Sequence, residues 1–182
     1  VEIVNQMVAN DISRQIADTD LFVRVYGPPF KMAVIGAVHI SQALIPMAKI
    51  AGFEVAIIDP RESFMKIGRL GDISYIDEWP DEGLKQVALD SRTAVVTLTH
   101  DPKLDDPALA SALKSPAFYI GSLGSKRTHA KRLSRLKSDG FTDKDLERIK
   151  GPVGLNIGAQ TPAEIAVAIL GEVIEARRAL SP

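Results

Sequence analysis

Four short apolar runs set the terms for this chain: MAVIG (32–36), EVAIID (54–59), TAVVTLTH (93–100) and AFYIGSLG (117–124). Each is rich in β-branched residues and is followed by a stretch long enough for a helix. Strands that are apolar on both faces must be covered on both faces. Parallel neighbours also need a crossover that can hold a helix, and the gaps supply one. With ISYID (73–77) the pattern predicts five strands in an α/β fold with a mostly parallel sheet flanked by helices.

The intervening stretches predict helices over 39–51, stopped by Gly52, and over 81–90, with another opening at Asp105-Asp106-Pro107. The carboxyl end reads as a helical segment. KRTHAKRLSRLKSDG (126–140) is a basic helix with a glycine stop, and TDKDLERIK (142–150) a short one with Thr142 as its cap. Residues 161–180 form the longest, opened by Thr161, Pro162 and Glu164 as a capping box. Ahead of the sheet, residues 3–17 carry a helical apolar stripe, and LFVRVYG (21–27) reads as a strand able to extend a sheet edge. The expected division is therefore a leading segment, 1–30, either a linker from a further N-terminal domain or its remnant, and a domain over 31–182. A first residue of Val rather than Met leaves room for chain upstream.

Bulk properties remove some function classes. The 22 basic and 23 acidic residues leave a net charge of −1, which gives no global reason to expect nucleic acid. No apolar run approaches the roughly 20 residues of a membrane span, and no signal peptide is visible. With no cysteine, disulfides, thiolate metal sites and cysteine nucleophiles are excluded for this chain. A cytoplasmic location is the expectation.

The first strand-to-helix turn, AVIGAVHISQAL (33–44), is close to the dinucleotide fingerprint G-x-G-x-x-G. Gly36 makes the tight turn, but Val38 stands at the second glycine and its branched side chain crowds the place of a pyrophosphate. Asp59 ends the next strand near the spacing of a ribose-binding acid, and Arg61 follows as a candidate phosphate contact. These features predict a Rossmann-like doubly wound domain and give only weak support for NAD(P). His39 opens the helix, where the dipole favours a neutral imidazole as a hydrogen-bond partner. Thr99, His100 and Asp101 end the strongest strand at the same edge, with the residue types for acid–base work or a metal; the plainer alternative is that Thr99 or Asp101 caps the loop before Pro102. GSLGSKRT (121–128) brings Gly121, Gly124, Ser125, Lys126, Arg127 and Thr128 to a strand end and helix start, which suits an oxyanion. It is not a Walker A loop. NIGAQTPAEIA (156–166) makes one more exposed helix start, for which capping alone accounts.

Four stretches in this order and spacing resemble the C-terminal Rossmann-like domain of the XdhC/CoxI family: AVIGAVHISQALIPMAKIAGFEVAIIDPR, TAVVTLTHDPKLDDPAL, AFYIGSLGSKRTHAKRL and GLNIGAQTPAEIAVAIL. They span residues 33–170. Many members carry Gly-Ala-Gly-His at the first turn, so Val38 is a departure that weakens the carry-over of nucleotide binding. The cysteine-containing N-terminal segment common in the family has no counterpart here.

The resemblance implies an accessory protein for maturation of molybdenum hydroxylases of the xanthine dehydrogenase type. Such a protein binds the molybdenum cofactor (molybdopterin) while a cysteine desulfurase supplies sulfur, then delivers it to the apoenzyme, commonly as a homodimer. This is a maturation factor more than a catalyst. With no cysteine, the chain cannot itself carry the sulfur. GSLGSKRT would take the cofactor's phosphate, and His39, Asp59, Thr99, His100 and Asp101 its pterin. Two alternatives stay open: an NAD(P)-binding oxidoreductase, and a cofactor-free interaction module docking through helix 126–137.

Overall fold

The computed structural model describes residues 2–9, 13–61 and 73–180. A short helix, α1 (Glu2–Ala9), precedes a two-stranded ribbon of β1 (Arg14–Gln15) and β2 (Phe22–Val23). Then follow β3 (Phe30–Ile35), α2 (His39–Ile50), β4 (Phe53–Ile58), β5 (Ser74–Ile76), α3 (Pro80–Val87) and β6 (Thr93–Thr97). The remainder is α4 (Pro102–Leu113), β7 (Tyr119–Ser122), α5 (Lys126–Ser138), α6 (Asp143–Leu146), β8 (Ile149–Lys150) and α7 (Pro162–Ala179).

Strands β3 to β8 form one six-stranded sheet in the order β5-β4-β3-β6-β7-β8. Every pairing in it is parallel. That is the doubly wound Rossmann arrangement, whose order reverses between β3 and β6. Helices α2 and α7 pack together over one face, around Met32, Val34, Leu44, Ile45, Val96 and Ile169. Helices α3, α4 and α5 cover the other, around Ala33, Ile35, Leu84, Val95, Leu109 and Leu136. All strands point their carboxyl ends at one edge, so the turns after β3, β4, β6, β7 and β8 converge there.

Several local expectations are corrected. The sheet has six strands, not five. The segment 142–150 is helical only over Asp143–Leu146, and Ile149–Lys150 joins the sheet beside β7. Arg148 does this: its guanidinium donates to the carbonyls of Leu113 (2.6 Å), Ser115 (2.9 Å) and Ala117 (3.0 Å), drawing the chain onto the sheet edge. The helix foreseen over 3–17 ends at Ala9, before residues 10–12, which lie outside the described set. The stripe misled because a tight turn with Asp18 at φ 60° reverses the chain. Arg14–Gln15 then pairs antiparallel with Phe22–Val23, so LFVRVYG extends no edge of the main sheet. Helix α4 opens at Pro102 rather than at Asp105-Asp106-Pro107, because Asp101 already caps it, accepting from the Lys103 N–H at 2.9 Å.

Other local readings hold. Gly52, at φ +85°, follows the end of α2, and Gly140, at φ +96°, follows α5. The capping box of Thr161 with Glu164 is present, and the Thr142 cap forms one as well, with Asp145.

Candidate functional site

The first turn is packed more tightly than its sequence suggests. Gly36 has φ +106°, and a Cβ there would stand 2.7 Å from the Thr99 methyl. Glycine is needed for the backbone and for this contact between the ends of β3 and β6. Val38 is the N-cap of α2 and supplies no side-chain cap; its side chain packs on the core. His39 is exposed as the first residue of α2.

Asp59 is fully buried, and both its carboxylate oxygens are engaged. Oδ2 accepts from the Ala37 N–H at 2.8 Å and from Arg61 at 2.7 Å, and Oδ1 accepts from the Arg61 N–H and Nε. Burial alone would raise its pKa, but the Arg61 side chain and the Ala37 and Arg61 amides together hold it below the ordinary carboxylate value. The amide that a phosphate would seek at this turn is already taken by an internal anion. Arg61 is spent on the same pair. Residues 62–72, which follow it, lie outside the described set.

At the end of β6, Thr99 is a hub. Its hydroxyl donates to Asp105 Oδ1 at 2.7 Å and accepts from the Asp101 N–H at 3.1 Å. His100 is exposed and held at φ +61°. Asp101 caps α4, the plainer of the two roles open to it. Among the described residues, no three acidic or histidine side chains come together to hold a metal ion.

At the end of β7, Gly121 and Ser122 are strand residues, and Ser122 shares a buried hydroxyl hydrogen bond with Thr97. Gly121 faces Val153 and the Tyr119 hydroxyl, each within 2.7 Å of where a Cβ would be, so it serves packing. Gly124 turns the chain at φ +144°, and Ser125 caps α5 through the Thr128 N–H. Lys126 and Arg127 are exposed in the first turn and form no ion pair among the described residues. Free first-turn amides, a helix dipole and two unpaired cations can hold an oxyanion.

Three polar residues escaped the sequence reading. Asp105 and Arg132 are buried together beneath these turns, 3.6 Å apart. Arg132 had a signal, since it precedes the buried Leu136 by one helical turn and so lies on the core side of α5. Glu172 of α7 accepts from the buried Tyr119 hydroxyl and from the Gly154 N–H, pinning the loop after β8. Burial, then Glu172, pushes the Tyr119 pKa upward.

A family model described as the XdhC Rossmann domain matches residues 32–173. The chain is 35% identical over 106 residues to the molybdenum cofactor insertion chaperone PaoD of Escherichia coli, covering 58% of this chain and 33% of that one. It is 29% identical over 161 residues to a probable xanthine dehydrogenase subunit of Bacillus subtilis, covering 88% and 47%. A crystal structure described as a xanthine dehydrogenase from Bacillus halodurans superposes with a TM-score of 0.74 at 27% identity, covering 91% and 48%. The chain thus spans less than half the length of each.

Proposed function

The chain belongs to the XdhC Rossmann-domain family, and from that premise we propose that it binds the molybdenum cofactor as cargo and takes part in its insertion into a molybdenum hydroxylase of the xanthine dehydrogenase type. The observation that carries this reading is the β7–α5 turn. There, Gly124, Ser125, Thr128 and the unpaired cations Lys126 and Arg127 offer a phosphate-binding surface at the carboxyl edge of the sheet. Molybdopterin carries a phosphate. Its pterin needs donors and acceptors, which the exposed His39 and His100 and the half-buried Thr99 and Asp101 supply across the β3–β6 crevice. Similarity to a protein named as a cofactor insertion chaperone supports the same reading.

In this reading Asp59 and Arg61 stabilise the first turn and do not touch cargo. The chain has no thiol, so in this reading sulfur reaches the bound cofactor from a separate cysteine desulfurase, and the chain acts as holder and deliverer more than as a catalyst. Its partners are that enzyme and the apo-hydroxylase in the cytoplasm, and it works as a homodimer.

The test is retention of purified molybdopterin by the purified full chain, followed by absorbance on gel filtration. Co-elution with wild type and its loss in the K126A/R127A double variant is the expected result. A folded wild-type chain that retains no molybdopterin removes the reading. If such a chain still captures the apo-hydroxylase, it is an interaction module instead.

A further inference from the structure

The basic residues of α5 do not all face water. Arg132 is 2% exposed, and Asp105 on α4 is 1% exposed. Helical side chains lean toward the helix N-terminus. Arg132 lies one turn after Thr128, so its guanidinium reaches back beneath the first turn of its own helix. There its Nη2 donates to the Leu123 carbonyl at 2.9 Å. A Cβ at Gly124 would stand 3.7 Å from the same nitrogen and 3.1 Å from the Thr128 side chain, so the guanidinium lies against the turn beside Thr128.

This cation is poorly matched by its own surroundings. Asp105 Oδ2 is 3.6 Å from Nη2, too far for a well-formed hydrogen bond. Nε and Nη1 of Arg132 have no hydrogen-bond partner, and neither does Asp105 Oδ2. Buried donors without partners cost free energy and are rare in native proteins. Asp105 is held from the other side by the Thr99 hydroxyl, which fixes where the guanidinium can rest.

We infer that the β7–α5 turn is a phosphate site built in two layers, with the first-turn amides, Lys126 and Arg127 at the surface and Arg132 as a buried cation beneath Gly124. Its ligand is a terminal phosphate of a phosphomonoester. Such a group presents several oxygens in different directions and carries close to two negative charges. A bridging pyrophosphate offers fewer free oxygens per phosphorus. Identifying that phosphate as molybdopterin's rests on the function proposed above; the phosphate site itself does not.

The test is an amide-resolved NMR titration of the ¹⁵N-labelled full chain with inorganic phosphate. Shifts at the amides of Lys126 and Arg127 and at the Arg132 Nε–H are the expected result. R132Q should bind phosphate about tenfold or more weakly, the loss of one charge-assisted contact. Should R132Q not fold, the wild-type Nε–H signal and the surface variant K126A/R127A decide. Shifts centred on His39–Ser41 of α2, no shifts at all, or wild-type affinity in folded R132Q each overturn the inference. Phosphate shifts at α5 without molybdopterin retention leave this site standing and remove the chaperone reading. Molybdopterin retention with a silent α5 removes this site and the β7–α5 turn as the place of binding, and leaves only that the chain holds the cofactor elsewhere on the fold.

Discussion

Asp59 shows how one side chain changes what a familiar turn can bind. Its carboxylate accepts from the Ala37 N–H and pairs with Arg61, so the anion at the first turn is built in. The D59N variant should lose about 2–4 kcal/mol of stability at neutral pH, since Asn cannot accept from all these donors. Because the folded-state pKa of Asp59 is lowered, its contribution is full above the ordinary carboxylate range. It fades as pH falls through the lowered value. Urea unfolding should therefore separate wild type from D59N widely at pH 7 and progressively less in acid; a gap that widens in acid contradicts the assignment. Gly36 makes a second case of the same kind. G36A forces a positive φ on a side chain and drives a methyl into Thr99. A loss of about 2–4 kcal/mol is expected by thermal unfolding.

Among the elements, β8 depends on a partner far away in sequence. Arg148 holds it to the sheet through three carbonyls, one at the end of α4 and two on the segment that leads to β7. R148M should cost about 3 kcal/mol and speed amide exchange at Ile149 and Lys150; unchanged exchange there would refute this role. In α7, T161A removes the cap that accepts from the Glu164 N–H and should cost about 1 kcal/mol in chemical unfolding. The contrast explains what could be read in advance. The capping boxes, Gly52 and Gly140 act within a turn of their own positions, so local sequence specifies them. The strands β3, β4 and β6 are legible because burial on both faces leaves an unbroken apolar run. The strand β8 is not, because DLERIK carries a helical pattern that a tertiary arginine overrides. The same division holds at the site. The exposed members of GSLGSKRT announce themselves, whereas Arg132 and Asp105 act only through the fold that buries them together.

Across the fold as a unit, one line of contacts crosses the carboxyl edge of the sheet. The Gly36 turn rests on Thr99, Thr99 bonds Asp105, Asp105 faces Arg132, and Arg132 bonds the Leu123 carbonyl. The turns after β3, β6 and β7 are thereby fixed to one another, which suits a shared cleft for one extended ligand. Within that cleft the anion-binding position proposed above lies over α5, away from the first turn that a dinucleotide would use. Calorimetric titration with NAD and NADP, oxidised and reduced, should accordingly give no heat of binding. No helix among the described residues is long and apolar enough to cross a membrane. The proposed function requires that this fold hold the molybdenum cofactor at the β7–α5 turn. Mass spectrometry of the small molecules that co-purify with the chain, from cells making the cofactor, puts that requirement to the test. Wild type should carry molybdopterin and the K126A/R127A variant should not; a folded wild-type chain carrying none, or a variant carrying as much as wild type, contradicts the proposal.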